Sequence, residues 1–266
     1  MTMVQADVGA NRQRLTGGHL ATALFEAIRL DQIEVFYQPI VATDSGRILG
    51  AEALLRWQHP TAGILSAGSF AHVAEQTGML GLLGRRALNA ACLATASWPT
   101  PAGFRMQVNA NVQQLSSRTF LGDVRQALRS ASLDPHMLAV EITETVRLPA
   151  SGQVLQNLNG LRAMGVAIEL DDFGTGFCSP LYLKQLPVTG IKLDQQFVSG
   201  LGLEATDDII VAHLASMALK LGLTVCGEGV EHEQQRSRLV DYGVAAAQGW
   251  LFSAAVSGDD FARLLE

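Results

Sequence analysis

Strand-like runs alternating with segments of helical periodicity constrain this chain more than any other feature of its sequence. Short apolar runs occupy residues 34–41, 48–57, 104–112, 138–143, 166–170, 190–193, 225–230 and 245–251. Between most of them apolar residues recur at helical spacing, over 70–79, 84–96, 119–131, 154–164, 207–221 and 233–241, and a further helical stretch, 19–30, precedes the first run. Strands joined by helices cross over right-handedly into a mostly parallel sheet. About eight of them in 266 residues predict the α/β class and a closed (β/α)8 TIM-like barrel. An open doubly wound sheet is the competing architecture. It fits less well because Gly174-Thr175-Gly176 lacks the third glycine of a dinucleotide fingerprint and follows two aspartates that would repel a pyrophosphate. Only the turn Thr43-Asp44-Ser45-Gly46 separates the first two runs, which suits a hairpin, so the barrel is expected to begin with an antiparallel first strand. Residues 1–18 read as a loose polar tail and 19–266 as one domain.

Strands of a parallel sheet are covered on both faces and should read as unbroken apolar runs, so a charged or amide residue inside one needs a reason. Here nearly every run carries one. Glu52 lies in Leu49-Gly-Ala-Glu-Ala-Leu-Leu, Asn109 follows Met106-Gln-Val, Glu141 sits in Leu138-Ala-Val-Glu-Ile, and Asp171 and Asp172 follow Ile168-Glu-Leu. Lys192 falls in Gly190-Ile-Lys-Leu, Glu228 follows Val225-Cys-Gly, and Gln248 follows Ala245-Ala-Ala. Most come late in their strand, and in a barrel the C-terminal strand ends converge on one mouth. Any single carboxylate of this set reads ordinarily as half of a strand-end salt bridge. The set as a whole does not, because no equal number of Arg or Lys residues is placed to pair with it. Oxygen-only donors suit hard cations such as Mg²⁺ or Mn²⁺, and the lack of a nearby His or Cys argues against zinc. An adjacent pair such as Asp171-Asp172 suits two ions, one carboxylate bridging while its neighbour binds only the second, an arrangement that serves phosphodiester hydrolysis. Lys192 then either works on the water or the developing charge, or forms an ion pair with Asp194, which points the same way along the strand.

Charge and composition narrow the partner. A net charge of −6 excludes a general surface for a nucleic acid polymer, which needs a basic face, but leaves room for a small anionic ligand met by local cations. There are three lysines, Lys184, Lys192 and Lys220, so the placement of one inside a strand is informative. No run of about 18 apolar residues marks a membrane segment, and the N-terminal stretch lacks the apolar centre of a secretory signal, which makes cytoplasmic the default expectation. Cys92, Cys178 and Cys226 have no metal-ligand spacing and read as reduced thiols.

In their order these residues resemble one family, the EAL phosphodiesterases of bacterial cyclic di-GMP signalling. The resemblance covers about residues 20–252 and includes Tyr37-Gln-Pro-Ile, Glu52-Ala-Leu-Leu-Arg-Trp, Ala74-Glu-Gln-Thr-Gly, Val108-Asn and Glu141-Ile-Thr-Glu. It continues through Asp171-Asp-Phe-Gly-Thr-Gly, Ile191-Lys-Leu-Asp, Gly227-Glu-Gly-Val-Glu and Gln248-Gly. A lone Glu-Ala-Leu triplet would mean nothing; nine segments in the right order make the match specific. The resemblance implies an EAL phosphodiesterase domain over 19–266 that hydrolyses cyclic di-GMP to linear 5′-pGpG with two Mg²⁺ or Mn²⁺ ions, and that works as a homodimer. Ca²⁺ is expected to occupy the site and inhibit, because its larger radius and looser geometry misplace the water.

By the same resemblance Glu52, Asn109, Glu141 and Asp171 hold the first metal, Asp171 is shared and Asp172 serves the second. Lys192 and Glu228 are catalytic together with Glu52, acting on or around the attacking water. Arg56 looks like the family's phosphate-contacting arginine, its alternative being a rim salt bridge, and Gln38, Leu54, Gln248 and Glu231 line or support the substrate site. Glu144 is similar to the glutamate that anchors the loop after the aspartate pair. The sequence departs from the family's usual pattern at Asn111, at Pro180-Leu181 and at Ala254-Ala255, none of them an expected ligand. Two other functions compete. A cyclic di-GMP receptor without turnover usually lacks a ligand that is present here, and a metal-dependent lyase or aldolase would explain the carboxylates but not the ordered motifs.

Overall fold

A computed structural model describes residues 17–143, 152–175, 183 and 185–266. Its strands are β1 Ile33–Ala42, β2 Ile48–His59, β3 Gly63–Ser66, β4 Arg105–Asn109, β5 Leu138–Thr143, β6 Ala167–Phe173, β7 Gly190–Leu193, β8 Thr224–Gly227 and β9 Ala246–Ala247. They form one sheet in the order β1-β9-β8-β7-β6-β5-β4-β2-β3, and a further pairing of β1 with β2 closes it into an eight-stranded barrel with β3 as a hairpin extension of β2. β1 is antiparallel to both of its neighbours, β2 and β9, as the short turn after it requires. From β2 through β4 to β9 every neighbouring pair around the barrel is parallel.

Alternation along each strand divides the barrel wall into two chemistries. Met106, Val108, Val140, Ile142, Ile168, Leu170, Ile191 and Leu193 join a buried core with residues of the surrounding helices, among them Ala91 of Leu80–Ser97, Val124 of Phe120–Ala131 and Leu158 of Gly152–Ala163. Gln107, Asn109, Glu141, Glu169, Asp171 and Lys192 alternate with them and therefore share the barrel interior. A second buried cluster, Leu24, Ala27, Ile33, Trp57, Phe70 and Leu83, seats the helix Gly17–Arg29 against the β1–β2 hairpin. No helix among the described residues is long and apolar enough to cross a membrane.

Several boundaries differ from expectation. The run 104–112 ends as a strand at Asn109, because Asn111 accepts from the Gln114 amide and Gln114 returns the bond, a capping box that starts the short helix Val112–Leu115. The helical stretch 70–79 is cut at Gly78, whose φ of 72° ends the helix Ala71–Gln76. The strand expected over 245–251 shrinks to two residues, since at Gly249 the chain presses so close to Val230 that a Cβ would lie 2.1 Å from its carbonyl oxygen. β3 has no counterpart in the sequence reading. The tail expected over 1–18 lies outside the described residues except for Gly17 and Gly18, which open the first helix.

Candidate active site

Polar residues that interrupt the apolar runs meet where the parallel strands end. Lys192 of β7 is fully buried at their centre, with Nζ 2.5 Å from Glu228 Oε1, 2.9 Å from Glu141 Oε1, 3.2 Å from Glu52 Oε2 and 3.8 Å from Asp171 Oδ1. Asp194 is not part of this group. Its carboxylate accepts from the Gln196 amide at 2.7 Å and caps the helix Gln195–Val198, so the alternative of a simple Lys192–Asp194 pair gives way to one ammonium shared by four carboxylates.

Glu52 is fixed from two sides. Asn109 Nδ2 donates to its Oε1 at 2.8 Å and Gln248 Nε2 to its Oε2 at 2.8 Å. The antiparallel register of β1 sets Gln38 opposite Glu52, where Gln38 Oε1 accepts from the same Gln248 amide at 3.0 Å while its own amide donates to the Ser253 carbonyl at 3.1 Å. The antiparallel first strand thus delivers an amide that a parallel neighbour would have placed elsewhere.

Adjacent residues of a regular strand face opposite sides of the sheet, so Asp171 and Asp172 need a backbone irregularity to serve one site. The β6–β7 register slips between Leu170 and Phe173, and Asp172 takes a φ of 55°, in the left-handed region that Asp tolerates better than most residues. As a result one carboxylate oxygen each of Asp171, Asp172 and Glu228 lie within 4.8 Å of one another. Such a conformation costs about 1–3 kcal/mol and persists where the surroundings impose it.

Electrostatics follow from this crowding. Burial alone would push Lys192 down, but Glu141, Glu228, Glu52 and Asp171 together hold its ammonium well above the ordinary lysine value. Burial pushes Glu52 up, yet Lys192 and the amides of Gln248 and Asn109 bring it below the usual carboxylate range. Glu228 goes the other way, to about 8, through burial and repulsion from Asp171 and Glu52 against the pull of Lys192. Asp172 rises to about 6 through burial and its neighbour Asp171, and Glu141 rises well above its ordinary value through burial and Glu52. The Lys192 ammonium approaches Glu141 without hydrogen-bond alignment, so both Glu141 oxygens are buried without a hydrogen-bond partner among the described residues. Carboxylate oxygens without hydrogen-bond partners, an all-oxygen donor set and a single ammonium among four carboxylates fit hard divalent cations held by Glu52, Glu141, Asp171 and Asp172, with the Asn109 side-chain amide beside them, its Nδ2 on Glu52.

A cleft of about 330 Å³ opens onto this cluster, lined by Gln38, Glu52, Leu54, Asp172, Glu228, Glu231 and Gln248. Arg56 lies beyond them on the same face of β2 as Glu52 and Leu54, half-buried, donating to the Leu55 carbonyl at 3.0 Å and forming no salt bridge among the described residues. The structure therefore gathers nearly all of the expected site residues. Glu144 is the exception: it lies outside the described residues, as does most of the loop it was expected to anchor. Sequence reasoning gave no role in the cleft to five of its lining residues, Asp194, Gln195, Gly229, Gly249 and Trp250, having weighed Asp194 only as an ion-pair partner of Lys192. Trp250 reads as core in an apolar run but is 74% exposed at the cleft. It also passed over Gln107 and Glu169, buried polar residues that break the same strands one step earlier and carry the same signal.

The EAL domain family matches residues 21–255. The bifunctional diguanylate cyclase/cyclic di-GMP phosphodiesterase MucR of Pseudomonas aeruginosa is 36% identical over 249 residues, which is 93% of this chain and 36% of MucR. The cyclic di-GMP phosphodiesterase NbdA of the same organism is 37% identical over 232 residues, 86% of this chain and 30% of NbdA. This chain spans about a third of the length of these two relatives. Among solved structures, that of the PaMucR phosphodiesterase in complex with c-di-GMP superposes with a TM-score of 0.86 at 35% identity, covering 91% of this chain and 99% of that one.

Proposed function

This chain belongs to the EAL domain family, and on that footing we propose that it hydrolyses cyclic di-GMP to linear 5′-pGpG with the help of two Mg²⁺ or Mn²⁺ ions. The observation that carries the proposal is the buried Lys192 ringed by Glu52, Glu141, Asp171 and Glu228, with both Glu141 oxygens lacking a hydrogen-bond partner among the described residues. Four carboxylates, two of them buried and two largely so, around one ammonium make a poor structural device, because the cost of desolvation exceeds what one cation returns. They make a good cation site.

Glu52, Asn109, Glu141 and Asp171 would hold the first ion, and Asp171 with Asp172 the second. When bound, such ions activate water and take up charge on the phosphate oxygens. Lys192 orients the attacking water and answers the charge that develops on the phosphate, Glu228 at the same ammonium accepts a proton from that water, and Gln248 and Gln38 keep Glu52 in place. Leu54 and Glu231, which line the cleft, would face the substrate, and Arg56, beyond them on the same face of β2, would reach a phosphate. The MucR complex with c-di-GMP supports the choice of substrate. The alternative of a receptor that binds without turnover is disfavoured by the presence of every expected ligand. The exposed Trp250 face at the cleft suits a nucleobase, which favours a nucleotide substrate over the small acid of a lyase or aldolase.

The raised carboxylates make cation binding depend on pH in a definite direction. Below its pKa each of Asp172 and Glu141 carries a proton that a cation must displace, so affinity is weaker at pH 6 than at pH 8, with protons released on binding. Mn²⁺ titration by calorimetry at the two pH values, in buffers of different ionisation enthalpy, measures both. Affinity that ignores pH would remove these carboxylates from the ligand set. Ca²⁺ in the same titration is expected to compete with Mn²⁺ and to suppress turnover.

Arg56→Ala is expected to raise KM by about tenfold with kcat largely kept, as loss of a charged hydrogen bond made equally in ground and transition states should. An unchanged KM would take Arg56 off the substrate.

A further inference from the structure

Below the carboxylates, Gln107 of β4 and Glu169 of β6 are joined inside the barrel. Gln107 Nε2 donates to Glu169 Oε2 at 2.6 Å, and each residue is 5% exposed. β5 runs between their two strands, and its Glu141 is in register with Asn109 on one side and Glu169 on the other. Each end of the bond stands two residues before a proposed metal ligand on the same strand face, Gln107 before Asn109 and Glu169 before Asp171. Arg105, two residues before Gln107, brings its guanidinium to 3.7 Å from Glu169 Oε1. No step of the proposed chemistry uses these side chains.

Fold stability alone accounts poorly for them. The Gln107 amide oxygen and Arg105 Nε are buried without hydrogen-bond partners among the described residues, so the group is incompletely satisfied, and such a network returns less than apolar packing of the same volume. Glu141, for its part, has no hydrogen-bond partner among the described residues, so apart from its ion pair with Lys192 its direction is set by the neighbouring strands. We infer that the Gln107–Glu169 bond is a strap that ties β4 to β6 across β5 and so positions Asn109, Glu141 and Asp171 to converge on one divalent cation. This rests on reading the site as a metal centre. Glu169 and Gln107 are positioning residues, and partners of this kind around metal ligands typically change metal affinity about 10–100-fold when removed.

Mn²⁺ binding measured by calorimetry on the wild type, Glu169→Ala, Glu169→Gln and Gln107→Ala, with circular dichroism and a thermal melt on each, tests the strap. Glu169→Ala and Gln107→Ala are each expected to weaken Mn²⁺ binding by about tenfold or more. Glu169→Gln keeps an amide oxygen that accepts from Gln107 and is expected to bind Mn²⁺ nearly as the wild type does. Should Glu169→Ala fail to fold, Gln107→Ala carries the same prediction from the other end of the bond. Unchanged Mn²⁺ affinity in Gln107→Ala with a lowered melting temperature would reduce the pair to a fold-stabilising contact. Equal loss in Glu169→Gln and Glu169→Ala would assign the effect to the charge of Glu169 and overturn the strap. A wild type that binds no Mn²⁺, or binds it equally well after Asp171→Ala, would overturn the metal centre itself and the strap with it.

Discussion

Asp171→Ala is expected to abolish hydrolysis of cyclic di-GMP, lowering kcat by at least about a thousandfold, and to leave the barrel folded. Asp171 occupies the point where the two parts of the site meet: its Oδ1 lies 3.8 Å from Lys192 Nζ and accepts from the Asp172 amide at 3.0 Å. In the proposed two-cation site a carboxylate there would serve both ions, so its loss would disable both, and added Mn²⁺ should not rescue turnover. The fold should survive because the substitution removes one like charge from a crowded set and opens a small gap at a partly accessible position, not in the apolar core. Chromatographic detection of product, with circular dichroism on the same preparation, separates the outcomes. Activity within about tenfold of wild type would show that the cluster is not the reaction centre, and a collapsed spectrum would make it a structural ion-pair network.

Lys192→Ala should be nearly as severe, and in two ways that can be read separately. Turnover is expected to fall about 10²–10³-fold with little change in KM, as befits a group that answers charge developing in the transition state. The metal-free protein should also lose stability, because removing the single ammonium leaves Glu52, Glu141, Asp171 and Glu228 facing one another without a cation, a change that typically costs about 3–5 kcal/mol. The sign with pH follows from the protons these groups hold. In the folded protein burial and repulsion already keep Glu228 and Glu141 protonated to higher pH than in the unfolded chain, so their contribution is intact below the unfolded value and is lost as pH rises through the folded one. The melting temperature of metal-free Lys192→Ala should therefore fall between pH 5 and pH 8, and Mn²⁺ should restore it. A variant that loses affinity for cyclic di-GMP but not kcat would instead place Lys192 on a ground-state phosphate.

Most of the site was legible in the sequence for one physical reason. A strand buried on both faces has no ordinary place for a charge, so Glu52, Glu141, Asp171 and Lys192 stood out against their apolar neighbours, and the position of most of them late in their strands pointed to one mouth. The hairpin and the antiparallel β1 were legible too, because a turn as short as Thr43-Asp44-Ser45-Gly46 leaves no room for a crossover helix. What was not legible depends on partners distant in the chain. Whether Lys192 would pair with Asp194 or with four carboxylates is decided by strand register, and the left-handed turn that brings Asp172 beside Asp171 is decided by the slip between β6 and β7. β3 went unseen because Gly63-Ile-Leu-Ser is mostly exposed and carries no alternation of its own, and Trp250 because an aromatic in an apolar run looks like core whether it faces in or out. Gln107 and Glu169 were visible by the same rule as the proposed ligands; they lie one step below the mouth, where nothing in the sequence suggests a use.

The most direct test is to incubate the purified protein with cyclic di-GMP and Mn²⁺ or Mg²⁺ and to identify the product. Linear 5′-pGpG should accumulate, and a chelator should stop it. Tight binding of cyclic di-GMP with no product would make the chain a receptor, and equal turnover with the chelator present would remove the cations from the reaction.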